Sequence, residues 1–213
     1  MTKDKNSISG KITTEEQKNG HFPIFLEIKA KKCLIIGGGE VAAEKAAVLK
    51  SFGAEVVILN KTADEYLKNC RGIRLLIKNF EDCDLDGCTL AIVADPHHPD
   101  ADRIAAACRD KRIPVTFIDN FAKGDFIFPY IFQNGCITTA VSSGGQNPAL
   151  AMSTKKMFEA YTPDYYEVLS ESMKKCNSYL KNKVRDSKIR KKIYNELFDI
   201  GKSNHGIITE EHL

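Results

Sequence analysis

A glycine-rich turn between a short apolar run and an amphipathic stretch constrains the fold of this chain more than any other feature. The run Leu34-Ile35-Ile36 is followed at once by Gly37-Gly38-Gly39 and then by Glu40-Val41-Ala42. The spacing matches G-x-G-x-x-A, in which the first glycine permits a tight turn and the second permits close approach of a phosphate. The pattern predicts a pyrophosphate-binding turn that contains Gly37, Gly38, Gly39, Glu40, Val41 and Ala42. The alternative interpretation is a glycine-rich turn without a ligand.

Short apolar runs alternate with amphipathic stretches from Lys32 to Ile118. The apolar runs predict strands at residues 33–36, 55–59, 73–77, 90–94 and 115–118, and the helical periodicity predicts helices at 40–52 and 100–111. Strands that alternate with helices pair in parallel, because the helices serve as crossover connections. The sequence therefore predicts an α/β fold with a Rossmann-like, doubly wound parallel sheet.

The pattern changes after residue 118. Residues 126–132 and 136–141 predict two further strands, joined by a hairpin turn at Gln133-Asn134-Gly135. Asn147-Pro148 predicts the N-cap and first position of a helix, and Pro163 begins a second helical region that ends near Phe198. We expect a fraying tail from Gly201 onward.

These patterns predict four regions. Residues 1–20 are predicted to form a flexible N-terminal extension, and residues 21–118 a nucleotide-binding domain. Residues 119–150 are predicted to form a small α+β region, and residues 151–213 a helical C-terminal domain.

Composition limits the class of protein. Apolar residues make up 43% of the chain and charged residues 28%, which is typical of a soluble globular protein. No apolar run approaches the about 20 residues that cross a bilayer, and residues 1–20 lack the apolar core of an export signal. The seven cysteines are odd in number and form no CxxC pair, which favours reduced thiols in a cytoplasmic protein over disulfides or structural zinc.

Charge is unevenly distributed along the chain. The net charge is only +3, yet nine Lys or Arg residues and one acid, Asp186, lie between Lys174 and Lys192. The stretch can be a solvated helical face or a basic wall beside an acidic substrate. Nucleic acid is a third possible partner, but no recognised nucleic-acid-binding motif accompanies the charge. Because no apolar run is long enough to cross a bilayer either, we predict neither a nucleic-acid nor a membrane partner.

The residue after the second predicted strand bears on the choice of cofactor. NAD-binding proteins usually have Asp or Glu there, which binds the ribose hydroxyls. Here Leu59 is followed by Asn60 and Lys61. Asn60 can still form a hydrogen bond to a ribose, so the residues leave NAD and NADP as alternatives.

Several segments together resemble the siroheme-synthase-type precorrin-2 dehydrogenases, some of which also act as sirohydrochlorin ferrochelatases. The likeness extends from Phe22 to Tyr161. Its motifs are the lead-in at residues 22–26, the glycine turn, Phe126-Ile127-Phe128-Pro129, Val141-Ser142-Ser143-Gly144-Gly145 and Asn147-Pro148-Ala149-Leu150-Ala151. The resemblance implies oxidation of precorrin-2 to sirohydrochlorin with NAD, in a homodimer whose subunits meet largely through the region after Asp119.

The resemblance also implies roles for particular residues. Asp119 is implied to be functional, and we interpret it as the base that accepts a proton during dehydrogenation; the alternative is a turn cap with Asn120. The segment Ser142, Ser143, Gly144 and Gly145 is predicted to bind substrate carboxylates, or else to be a plain connection to the next helix.

Two departures from the family pattern lie near the expected cofactor edge. Ala94-Asp95-Pro96 stands where the family usually has Thr-Asp-Asp, so Asp95 alone is left as a candidate nucleotide contact there. Thr116 stands where the family has asparagine.

Two further questions stay open from the sequence. We interpret the adjacent His97 and His98 as loop residues and predict no bound metal, while insertion of Fe²⁺ into the product remains undecided. The alternative function is an NAD-sensing regulatory domain without catalysis.

Overall fold

The computed structural model describes residues 20–62, 65–68, 70–118 and 120–209. The strands are β1 Lys32–Ile36, β2 Glu55–Asn60, β3 Arg74–Ile77, β4 Cys88–Val93, β5 Val115–Phe117, β6 Tyr130–Asn134 and β7 Ile137–Val141. The helices are α1 Gly39–Ser51, α2 Glu65–Lys68, α3 Ala101–Asp110, α4 Pro148–Tyr161, α5 Tyr166–Lys183 and α6 Ser187–Ser203. Two compact units divide at residue 127, with the first five strands in unit 1 and the rest of the chain from Phe128 in unit 2.

Unit 1 is built on a five-stranded sheet with the order β3-β2-β1-β4-β5. All four strand pairs are parallel, so the predicted Rossmann-like architecture is confirmed. Each central strand is buried along nearly its whole length, because helices cover both faces of a doubly wound sheet. This burial explains why the strands read as unbroken apolar runs.

The order of the strands creates the crevice in which such sheets bind ligands. From β1 the chain crosses to β2 on one side, whereas β4 lies on the other side of β1. The connections therefore diverge at the carboxyl ends of β1 and β4, and open α/β sheets bind ligands at this point. α1 packs next to it through Ala42, Ala46 and Leu49, which are buried.

Unit 2 contains a two-stranded antiparallel sheet of β6 and β7. The predicted turn at residues 133–135 is wrong by about one residue: Asn134 still pairs with Ile137, and the two residues between them, Gly135 and Cys136, make the turn. Gly135 has a φ of +54°, which suits a tight hairpin turn. The first strand also begins later than predicted, at Tyr130 rather than at residue 126.

The helices of unit 2 follow the sequence signals at their N-termini. The Asn147 side chain accepts a hydrogen bond from the Leu150 N–H at 2.9 Å, which confirms the predicted cap. The helical region after Pro163 is divided into α5 and α6, because Asp186 caps a new helix through the N–H groups of Lys188 and Ile189.

The prediction of a fraying tail from Gly201 is wrong for the residues up to 209. α6 continues to Ser203 and Gly201 is buried within it. The Gly206 N–H then donates to the Gly201 carbonyl oxygen at 2.7 Å, and Ile208 packs on the cluster around Leu169. Apolar side chains beyond the helix therefore hold this segment against α5.

The boundaries of the four predicted regions stay predictions, and residues 1–19 lie outside the described part of the chain. None of the described helices combines the length and apolar character needed to span a bilayer.

Candidate nucleotide-binding site

The glycine turn follows β1 directly and leads into α1. Gly37 has a φ of +113°, and its N–H donates to the Leu59 carbonyl oxygen at 2.8 Å. A Cβ at Gly37 would lie 3.0 Å from the Asp95 backbone nitrogen. Only glycine fits here, because both the conformation and the close approach of the chain after β4 exclude a side chain.

The two other glycines of the turn leave space in front of the helix. Gly38 is the N-cap residue of α1 and provides no side-chain cap. Gly39 has a φ of +76°, and a Cβ there would meet nothing within 4 Å. The turn thus presents backbone rather than side chains at the N-terminal end of a 13-residue helix, the arrangement that suits a phosphate group.

A cleft of about 340 Å³ lies at the carboxyl edge of the sheet in front of this turn. Its walls are the residues at and just after the carboxyl ends of β1, β2, β3 and β4: Ile36, Gly37, Gly38, Leu59, Asn60, Lys61, Lys78, Asn79, Phe80, Ala94, Asp95, Pro96, His98 and Pro99. The cleft therefore brings together four of the predicted cofactor residues, namely Gly37, Gly38, Asn60 and Asp95.

Asn60 shapes the wall of the cleft at the end of β2. Its side-chain Nδ2 donates to the Thr62 carbonyl oxygen at 2.7 Å, and its Oδ1 accepts from the Lys61 N–H at 3.0 Å. These bonds hold the amide in a local turn. The side chain is consequently fixed in position next to the space where a ribose is predicted to lie.

Asp95 and His98 form the wall that follows β4. Oδ1 of Asp95 accepts a hydrogen bond from the His97 N–H at 2.9 Å, which orders the loop. Nδ1 of His98 accepts from the Asp100 N–H at 3.2 Å, so Nε2 carries the proton of the neutral ring. His98 lines the cleft, whereas His97 is exposed and lies outside its lining.

The sequence analysis missed the wall that follows β3. Lys78, Asn79 and Phe80 line the cleft, and hydrogen bonds to the carboxylates of Glu81 and Asp84 raise the pKa of Lys78. The signal was present in the sequence, because residues after the carboxyl end of any strand in a parallel sheet share one edge.

The other predicted cofactor residues lie outside the lining of the cleft. Gly39 and Glu40 lie at the start of α1, and Val41 is exposed. Ala42 is fully buried against the sheet, where its small side chain lets the helix approach β1 closely.

The predicted substrate loop belongs to unit 2. The Ser142 hydroxyl accepts a hydrogen bond from the Gly144 N–H at 3.0 Å, and the Ser143 hydroxyl accepts from the Asn147 N–H at 2.9 Å. Gly144 and Gly145 both have positive φ angles. The hydroxyls therefore order the loop before α4. Each hydroxyl still has a second lone pair and an O–H group with which it can form hydrogen bonds to a ligand.

Asp119, the predicted catalytic residue, lies outside the described residues. The chain that leads to it is described: Ile118 follows β5, and its N–H donates to the Val93 carbonyl oxygen at 3.0 Å. No group of three or more His, Cys, Asp or Glu side chains that could hold a metal ion is found among the described residues.

A parallel sheet of this order, with a glycine turn between its first strand and helix, defines a Rossmann-type dinucleotide-binding protein. Residues 24–130 match the family described as "Putative NAD(P)-binding". The chain belongs to this family.

The relatives of the chain confirm the predicted resemblance. The siroheme synthase of Methylococcus capsulatus is 37% identical over 153 residues, which are 70% of this chain and 32% of that protein. The siroheme synthase of Pseudomonas fluorescens is 28% identical over 180 residues, which are 83% of this chain and 39% of that protein. The chain thus spans 32% to 39% of the length of these relatives.

A solved structure shows the same fold over most of the chain. The structure titled "SirC, precorrin-2 dehydrogenase" superposes with a TM-score of 0.63 and covers 85% of this chain and 91% of that one. Sequence identity between the two is 18%.

Proposed function

We propose that this protein oxidises precorrin-2 to sirohydrochlorin, with NAD as the hydride acceptor. The observation that carries the proposal is the cleft at the carboxyl edge of the sheet, which the glycine turn closes at one end. The siroheme synthase relatives and the fold shared with a precorrin-2 dehydrogenase support the choice of substrate.

The residues of the cleft fit a dinucleotide. Gly37 and Gly38 line the cleft without side chains next to the N-terminus of α1, where we propose that the pyrophosphate binds. The Asn60 amide, which is held by hydrogen bonds to Thr62 and Lys61, is proposed to bind a ribose hydroxyl, and Asp95 is proposed to contact the side toward the nicotinamide. Bound NAD supplies the hydride acceptor.

Dehydrogenation also releases a proton, for which we propose Asp119 as the base. Phe117 is buried and Ile118 half-buried just before it. Apolar surroundings of this kind raise the pKa of a carboxyl group and make its carboxylate a better proton acceptor near neutral pH. The loop of Ser142, Ser143, Gly144 and Gly145 is proposed to bind the carboxylates of the substrate.

We propose a cytoplasmic homodimer that is formed through unit 2. An isolated two-stranded sheet is marginally stable in water, yet β6 and β7 are only half-buried. Large apolar side chains on the neighbouring helix α4 are exposed, among them Leu150 at 60%, Met157 at 57% and Tyr161 at 82%. An apolar surface of this kind is typical of a subunit interface.

The test is a spectroscopic assay of the full chain with precorrin-2 and NAD. We expect the absorbance spectrum of sirohydrochlorin to appear, and Asp119→Ala to reduce turnover by a factor of about 100 or more with nearly unchanged affinity for NAD. Asp125→Ala is unsuitable as a control, because the Asp125 carboxylate holds the Val115 N–H. Exposed Asp110 provides the matched control, since Asp110→Ala should leave both quantities unchanged.

The same assay separates the alternatives. Tight NAD binding without any oxidation of precorrin-2 would favour a sensor and contradict the proposed enzyme. A repeat with Fe²⁺ tests the chelation that the resemblance leaves open, because metal insertion changes the spectrum of the product.

A further inference from the structure

The hairpin formed by α5 and α6 has a strongly basic end where the two helices are joined. Between Lys181 and Lys192 the chain contains seven Lys or Arg residues and one acid, Asp186. Six of the seven cations are exposed, and we call them the basic tip: Lys181, Lys183, Arg185, Lys188, Lys191 and Lys192.

Neighbouring acids do not neutralise the basic tip. Asp186 serves as the cap of α6, since its Oδ1 accepts from the N–H of Lys188 at 2.7 Å and of Ile189 at 3.2 Å. Within the described ranges of the chain, none of the six side chains forms an ion pair. In unit 1, by contrast, Arg103 pairs with Asp82 and Lys111 with Asp86.

One cation of the basic tip, Lys188, lies at a helix position where positive charge is unfavourable. The N-terminus of a helix carries a partial positive charge, which favours acidic residues in the first turn. The first turn of α6 contains no acidic residue, and Lys188 and Arg190 lie there instead. The helix dipole therefore does not favour a cation at Lys188.

The tip is also held in a fixed shape. The Arg190 guanidinium donates to the carbonyl oxygens of Val184 at 2.7 Å and Arg185 at 2.8 Å, which fixes the connection between the helices. Leu180 is buried beneath it in the hairpin core. Ile189, which lies between Lys188 and Arg190 in the sequence, exposes 53% of its surface, so the tip offers an apolar contact as well as positive charge.

We infer that the basic tip binds the peripheral carboxylates of a tetrapyrrole and captures this substrate from solution. The inference rests on the proposed function, whose substrate carries eight carboxylates around an apolar ring. Exposed cations raise the local concentration and the association rate of a polyanion, and the gain falls as salt screens the charges. The proposed binding of the tetrapyrrole to the tip is non-covalent, and no bond is formed or broken.

The first test measures binding of uroporphyrin, a stable porphyrin with eight carboxylates, by quenching of its fluorescence. The variant K188Q/K191Q/K192Q removes three charges from the tip. The control K31Q/K68Q/K111Q removes three exposed charges from unit 1, so both variants have the same net charge. At low ionic strength we expect the tip variant to bind about tenfold more weakly than the control, with a smaller loss for coproporphyrin, which has four carboxylates.

Two results would overturn the inference. One is equal affinity of the two variants for uroporphyrin. The other is a tip that binds RNA or anionic phospholipid vesicles but not uroporphyrin.

The second test separates this inference from the proposed function. With precorrin-2 and NAD, we expect the tip variant to lower kcat/KM more than kcat and to lose most of the salt dependence. If the wild-type chain binds uroporphyrin through the tip but oxidises no precorrin-2, the proposed function fails and the capture surface stands. If it oxidises precorrin-2 and the two variants give the same kcat/KM at every salt concentration, the inference fails alone.

Discussion

The sheets of the two units differ in how completely they bury their residues. In unit 1, Ile35, Ile58 and Ile92 expose none of their surface, because parallel strands are covered on both faces. In unit 2, no described residue of β6 or β7 is fully buried, and apolar side chains of α4 face solvent. The central strands of unit 1 are thus buried within their own unit, whereas unit 2 leaves apolar and charged surfaces available for a partner or a ligand.

The largest effect should come from truncating a core residue of unit 1. Ile92 lies in β4 between β1 and β5 and is fully buried. We expect Ile92→Ala to lower the free energy of unfolding by about 3 kcal/mol, since it deletes buried methyl groups and leaves a cavity. The measurement is chemical denaturation.

The matched substitution in unit 2 is Leu150→Ala, at a side chain that is 60% exposed. In the monomer we expect a loss below about 1 kcal/mol. A loss as large as that of Ile92→Ala in the monomer would remove the contrast between the units. A large loss that appears only at protein concentrations at which the chain is dimeric would be the result expected if Leu150 is buried in the proposed homodimer.

A smaller effect is expected from closing the glycine turn. Gly37 and Gly87 both have positive φ angles, but only at Gly37 would a Cβ meet backbone, 3.0 Å from the Asp95 nitrogen. Gly37→Ala should weaken NAD binding at least about tenfold, equivalent to about 1.4 kcal/mol, as seen by calorimetry. Gly87→Ala is the matched control, because it introduces similar backbone strain at a position where the Cβ meets nothing within 4 Å. It should leave NAD affinity unchanged. If both variants lose the same NAD affinity, backbone strain and not the glycine turn is responsible.

The smallest effect should appear only at alkaline pH. Burial raises the pKa of the Cys33 thiol to about 11 and that of Cys108 to about 12, from 9.0. The folded state therefore holds these protons more tightly than the unfolded state. Their contribution to stability is complete below about pH 9 and is lost as the pH rises toward 11 and 12.

Unfolding in denaturant between pH 7 and pH 10.5 tests this dependence. We expect stability to fall above pH 9, and Cys33→Ala to make the decline shallower. Cys136 is exposed, so Cys136→Ala should leave the slope as in the wild type. An unchanged slope in the Cys33 variant would contradict the expectation.

Sequence patterns predicted unit 1 more accurately than unit 2. Apolar runs and helix caps are local signals, and in a parallel sheet the strands and crossovers follow one another along the chain. The boundaries of β1, α1 and β2 were therefore predicted to within about one residue. The hairpin turn was misplaced because the pairing of Asn134 with Ile137 depends on the register of the two strands. The segment around Ile208 was predicted to fray because its packing on Leu169 is a contact between residues distant in sequence.

In the candidate site, too, some residues could be predicted from local sequence signals and others could not. The sequence identified Gly37, Gly38, Asn60 and Asp95, because each follows a strand that a motif or a spacing rule marks. It did not distinguish His98 from His97, since only the folded loop shows that His98 lines the cleft and His97 does not. Lys78, Asn79 and Phe80 entered the site through the pairing of β3 with β2.

The sequence by itself determined the class of fold and the glycine turn, because the periodicity of apolar residues and the conformational freedom of glycine act over a few neighbouring positions. Only the tertiary structure decided which side chains share the cleft and which cations lack acidic partners. Those properties depend on distances between residues that are far apart in the sequence. An example is the distance between a Cβ placed at Gly37 and the backbone nitrogen of Asp95.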